Sequence, residues 1–141
     1  MSDRLIEQLR IHEGVETHAY ECTAGKITVG VGRNIDPDGG LGLSEGEINF
    51  LLKNDIYRSR KELSESFDWF DDLDEVRQDG MCNLHFNLGL TRLRGFQKAL
   101  RFMESGDFLL ASEEFLDSRW AEQVGNRSDD VAHMIATGEY P

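Results

Sequence analysis

Three side chains carry the reactive chemistry that this sequence offers: Glu13, Cys22 and Thr28. Glu13 stands at the C-terminal end of a stretch with helical spacing, where the negative end of the helix dipole disfavours a carboxylate. A carboxyl kept protonated in this way can serve as a general acid; the alternative is a solvated glutamate at a helix end. Cys22 and Thr28 flank the turn dipeptide Ala24-Gly25, six positions apart, which puts them on facing arms of a hairpin. With Glu13 closing the preceding helix, the three can converge on one edge of a cleft. A thiol of ordinary pKa, about 8.5, is mostly neutral at pH 7. Cys22 therefore acts as a thiolate or as a water-orienting dipole, or it is a small buried hydrophobe in a strand.

The elements that position these residues follow from periodicity. Residues 3–13 place Leu5, Ile6 and Leu9 on one helical face, with Ser2 as N-cap and Gly14 as stop. The hairpin takes residues 19–22 and 26–31, and the breaker-rich run from Asn34 to Gly42 reads as loop. Ser44 and Glu47 form a capping box that opens a helix with an apolar face of Ile48, Leu51, Leu52 and Ile56. Further helices are predicted over 75–88, 96–104, 107–120 and 127–137, the last with Asn126 as cap and Gly138 as stop. One early hairpin followed by helices alone is an α+β arrangement, and 141 residues argue for one domain, 1–141.

Composition removes several classes. With 15 Lys+Arg against 27 Asp+Glu the net charge is −12, which offers no global field for a nucleic acid or an anionic membrane. Residues 62–79 hold eight acids and one base, −7 of that total, and read as a solvated face. Residues 90–102 hold Arg92, Arg94, Lys98 and Arg101 with no acid, so a local basic face is compatible with the acidic whole. Neither Cys22 nor Cys82 belongs to a CxxC pair, and position 16 is glutamate where H-E-x-x-H needs histidine, so zinc chemistry is not indicated. His85 reads as a packed or cleft-lining histidine and Cys82 as core of a central helix, and Phe67, Trp69 and Phe70 as satellite core. A reducing compartment argues against a Cys22–Cys82 disulfide. The charged N-terminal stretch has no apolar run long enough for a signal peptide or a membrane span.

Separated blocks then occur in a fixed order. They are Leu9-Arg10-Ile11-His12-Glu13-Gly14, Tyr20-x-x-Thr23-x-Gly25-x-x-Thr28-x-Gly30-x-Gly32, Asn83-Leu84-x-Phe86-Asn87-x-Gly89 and Gly95-Phe96-x-x-Ala99-Leu100-Arg101. Ser118-Arg119-Trp120 and Asn126-Arg127 close the series. Over nearly its whole length the chain resembles the phage-type lysozymes, the endolysins of glycoside hydrolase family 24.

That resemblance implies a lysozyme-like fold, with a small N-terminal hairpin lobe and a larger helical lobe flanking a saccharide cleft. It implies a muramidase that hydrolyses the β-1,4 bond between N-acetylmuramic acid and N-acetylglucosamine, by single displacement with inversion. Glu13 would be the proton donor, Cys22 stands where members carry aspartate or cysteine, and Thr28 would place the attacking water. Arg127 matches an arginine paired with the catalytic glutamate, which would favour the charged form of Glu13 and an acidic optimum. Phe86 matches a cleft aromatic, and Asn34 and Gly32 complete the substrate-binding set.

Arg33 stands where some members have histidine, and Ala99 and Glu114 where some offer small polar groups. The short loop from Arg33 to Leu43 leaves no room for added β-structure. The resemblance further implies no cofactor and no metal, peptidoglycan glycan strands as partner, and a monomer without stable membrane insertion. The enzyme would stay in the host cytoplasm until a holin opens the membrane, then reach the periplasm and cell wall for host lysis. A lytic transglycosylase and a non-catalytic wall-binding module are the alternatives. Because the wall is anionic, the charge predicts a lytic rate that rises with added salt before it falls.

Overall fold

The computed structural model describes residues 3–141, so the predicted Ser2 cap lies outside the described residues. The chain divides into two compact units, one ending at Leu51 and the other spanning Leu52–Pro141.

The first unit opens with helix α1, Asp3–Glu13, which ends on the Gly14 N–H donating to the Arg10 carbonyl at 3.0 Å. Strands β1, Glu16–Glu21, and β2, Ile27–Gly30, pair antiparallel, with Tyr20 opposite Thr28 and Glu21 opposite Ile27. The register shifts between Glu16 and Tyr20. A third strand, β3 at Arg33–Asn34, pairs with the other edge of β2. This corrects the expectation of a bare hairpin followed by loop. Gly30 and Gly32, both at positive φ, turn the chain back on itself. A two-residue strand is too short to show alternation in the sequence.

Helix α2, Glu45–Ser66, starts in the first unit and ends in the second. Its capping box is as predicted: Ser44 N–H donates to Glu47 Oε1 at 2.9 Å, and Glu47 N–H to Ser44 Oγ at 3.2 Å. Its predicted apolar face is not its buried face. Ile48, Leu51, Leu52 and Ile56 are 36–47% exposed, and α2 buries Ser59 and Leu63 instead. Leu5, Ile6 and Leu9 of α1 are also exposed. Periodicity marks which side of a helix is apolar; burial requires a layer to cover it.

The second unit supplies its own layers. After a 3₁₀ turn at Phe70–Asp72 come α3 (Glu75–Arg94), α4 (Gln97–Ser105), α5 (Phe108–Leu116), α6 (Arg119–Val124) and α7 (Asn126–Thr137). Helix α5 packs against α4 and α7, and α3 against α7, around Leu84, Phe115, Val131 and Ile135, each fully buried. The helix predicted over 107–120 is two helices. Ser118 breaks it and caps the second, its Oγ accepting from Ala121 N–H at 3.2 Å. The central helix runs on to Arg94 across a break at Gly89, φ 75° and ψ 166°. Helix α7 begins at Asn126 itself, with no side-chain cap, and Gly138 closes it in the left-handed region as predicted. Arg77 of α3 ties the end of α7 down, donating to the carbonyls of Ile135 at 2.7 Å and Ala136 at 3.1 Å.

Among the described residues no helix is long and apolar enough to cross a membrane. The architecture is α+β, mostly helical with a small antiparallel sheet near the N-terminus, of the lysozyme-like kind.

Candidate active site

Glu13 is the last residue of α1 and is exposed, so the helix end expected from the sequence is where it sits. Its carboxyl lies against Gly32: a Cβ built there would meet Glu13 Oε2 at 3.0 Å and Cδ at 3.4 Å. Gly32 also has φ +69°, a conformation L side chains rarely adopt. The absence of a side chain thus serves both the turn and the seat of the carboxyl.

Cys22 and Thr28 are brought together as predicted. Cys22 lies one residue past the end of β1, and its N–H extends the ladder to the Lys26 carbonyl at 2.9 Å. Opposite Lys26, Cys22 is diagonal to Thr28 on the same face of the pair. The thiol is pulled below its ordinary pKa chiefly by the backbone amides of Lys26 and Ala24, which outweigh the opposing effect of burial. Thr28 is the buried partner, 4% exposed, and its Oγ1 donates to the Lys26 carbonyl at 2.9 Å. A hydroxyl has one proton. With that proton on Lys26, the Thr28 oxygen presents lone pairs that can accept from a water.

Asn34 is held within its own loop. Its Oδ1 accepts from Asp36 N–H at 3.0 Å, and its carbonyl accepts from Leu41 N–H at 2.8 Å. Arg33 makes a bidentate pair with Glu47, Nη1 to Oε1 at 2.9 Å and Nη2 to Oε2 at 2.6 Å, and also donates to the Gly42 carbonyl at 3.0 Å. The guanidinium and the Ser44 N–H and hydroxyl hold the Glu47 carboxyl down at about 2.

In the second unit, Phe86 and Arg127 share a recess of about 400 Å³ with Arg60, Asp79, Asn83 and Tyr140. Arg127 is fixed by Asn83: its Nε donates to Asn83 Oδ1 at 2.9 Å and its Nη2 to the Asn83 carbonyl at 3.3 Å. Four residues on, Asn87 Oδ1 accepts from Trp120 Nε1 at 2.7 Å. The two asparagines of one sequence block therefore hold the residues of two later blocks. Sequence reasoning quoted these asparagines and gave them no role; the signal was their spacing of one helical turn. It also missed the Arg60–Asp79 ion pair and the Tyr140 hydroxyl that donates to the same carboxylate.

His85 bridges Ser59 Oγ and Glu62 Oε2, at 2.7 Å each, which fits the packed reading. Cys82 is buried in the core, its thiol pushed up by that burial, and both cysteines are free. Ala99 is 1% exposed and belongs to the core.

The chain is similar over 98% of its length to "Probable T4-type lysozyme 2" of Dictyostelium discoideum, at 27% identity across 96% of that protein. It is also 27% identical to the "Endolysin" of Acyrthosiphon pisum secondary endosymbiont phage 1, covering 91% of this chain and 86% of that one. The phage lysozyme family model matches residues 10–133, a span that holds Glu13, Cys22, Thr28, Gly32, Asn34, Phe86 and Arg127. The chain belongs to the phage lysozyme family and is an enzyme of the lysozyme type.

Proposed function

We propose that the protein is a muramidase that hydrolyses the β-1,4 bond between N-acetylmuramic acid and N-acetylglucosamine by single displacement with inversion. Glu13 donates a proton to the leaving glycosidic oxygen. Thr28 accepts a hydrogen bond from the attacking water, and the Cys22 sulfur, as a thiolate, supplies the negative charge that favours the developing oxocarbenium ion and the departing water proton. Inverting chemistry places acid and water on opposite faces of the sugar. The observation that carries this reading is the hydrogen-bonded set at the hairpin: a thiol of lowered pKa beside a hydroxyl whose only proton is committed to Lys26. A transglycosylase, which needs the acid alone, gives no reason for that pair.

The biological role that follows is host lysis: accumulation in the host cytoplasm, release to the wall after a holin opens the membrane, and action as a monomer on glycan strands. Arg127, fixed by Asn83, and Phe86 serve the saccharide; Gly32 and Asn34 do so on the first unit. Digestion of purified peptidoglycan tests the reaction. Mass spectrometry is expected to show reducing muropeptides one water heavier than anhydro products, and proton NMR the α-anomer first. Anhydro sugars would establish the transglycosylase; a β-anomer would overturn the single displacement.

A further inference from the structure

The acidic balance of the chain is reversed at one place in the second unit, independently of the Glu13 chemistry. Ser66 and Phe67 at the end of α2, Arg94 at the end of α3, and Gln97, Leu100 and Arg101 of α4 line a shallow recess of about 470 Å³. No carboxylate lines it, in a protein with 27 acids and 15 Lys+Arg. The Arg94 and Arg101 guanidiniums make no hydrogen bond or ion pair among the described residues, and both residues are exposed. Three other recesses of the second unit with a basic residue also offer an acid: Asp79 beside Arg60 and Arg127, Glu114 and Asp117 beside Lys98 and Arg101, Asp107 beside Arg77. Arg101 borders the recess of Glu114 and Asp117 as well, without an ion pair to either, and the recess it shares with Arg94 is the one among these four with no acid in its lining.

We propose that this recess is a docking site for a linear polyanion bearing phosphate groups, of the kind attached to or threaded through a cell wall. Two free guanidinium forks match phosphate oxygens bidentately, which ammonium groups do not. Gln97 and Ser66 add neutral donors, and Phe67 and Leu100 give the recess an apolar floor for the carbon skeleton between phosphates. The net charge of −12 does not forbid this. At physiological ionic strength charges beyond about 8 Å are screened, so the local cations decide. Arg92 and Lys98, on the same stretch, extend the basic run along the chain; Lys98 lies 3.8 Å from Glu114 and is partly compensated.

The test uses the full chain and long-chain inorganic polyphosphate, with orthophosphate and phosphatidylglycerol-containing vesicles as comparison arms, followed by calorimetry and sedimentation. Polyphosphate is expected to bind, at least tenfold more weakly in about 200 mM salt than in about 50 mM. The R94Q/R101Q double variant is expected to lose about tenfold in affinity. The charge-matched R4Q/R58Q variant is expected to stay within twofold of wild type. Circular dichroism verifies that each variant is folded. Absence of binding by wild type, equal loss in both variants, or capture of vesicles in place of polyphosphate would each overturn the proposal.

Discussion

The two units hold their shapes by different means. Every apolar residue of the buried core lies between Leu63 and Ile135, in the second unit, where Phe96 and Phe115 rings meet at 5.5 Å. In the first unit Thr28 is the one buried residue among those described, and helix α1 buries none. That unit is held by the sheet ladder, the Ser44–Glu47 box and the Arg33–Glu47 pair. The proposed reacting groups all sit on this hydrogen-bonded part. A packed core tolerates little displacement of its members, whereas hydrogen bonds and turns fix direction at single atoms. Chemistry that needs a carboxyl, a thiol and a hydroxyl in set directions is placed where direction is what the structure specifies.

The largest expected contrast is in stability. Phe115→Ala removes a ring from the fully buried core and is expected to cost about 3–5 kcal/mol. Ile11→Ala, at a residue 81% exposed, is expected to change stability by no more than about 0.5 kcal/mol. Chemical denaturation of both variants checks this; similar losses would erase the distinction between the units.

Next comes a substitution that moves one atom group and no core. Gly32→Ala places a Cβ against the Glu13 carboxyl at a positive φ, and displacement of a reacting group by an ångström lowers rate by about 10²-fold. Lytic rate is expected to fall on that scale while the second unit melts as in wild type. Full activity in this variant would show that the carboxyl does not need its seat on Gly32.

The Arg33–Glu47 pair makes the first unit pH-sensitive in a definite sense. Glu47 is held at about 2 in the fold against an ordinary 4.5, so its contribution is complete above about pH 4.5. That contribution is lost as pH falls from there toward 2. Thermal melts followed through this range are expected to decline less steeply for Glu47→Gln than for wild type. Parallel declines would assign the acid sensitivity elsewhere.

The smallest effect separates the two cysteines. Cys22, half-exposed with its thiol drawn down by the Lys26 and Ala24 amides, is expected to react with iodoacetamide at neutral pH. Cys82, buried with its thiol pushed up, is expected to react only on unfolding. Peptide mapping after alkylation reads both. Equal labelling would contradict the environments described.

Much of this arrangement was legible beforehand, for reasons that differ by residue. Ala24-Gly25 fixed the turn, and the turn fixed Cys22 diagonal to Thr28 on one face of the pair, because pairing across a short loop follows from its length. Ser44 and Glu47 announced a helix start through a bond between near neighbours. What stayed hidden was long-range. Nothing in the spacing of Arg33 and Glu47, or of Asn83 and Arg127, says that these side chains meet. The bond that Asn34 Oδ1 accepts from its own loop was equally unmarked, a local competition that Asn side chains commonly enter. Strand β3 was too short for any period to show.

The central claim is that a proton from Glu13 breaks the glycosidic bond, and turbidity clearance of purified peptidoglycan by Glu13→Gln tests it most directly. The glutamine keeps the size of the side chain and removes the acid. With the fold verified by circular dichroism, activity is expected to fall about 10²–10⁴-fold, the usual contribution of a positioned general acid. Clearance within twofold of wild type would contradict the account.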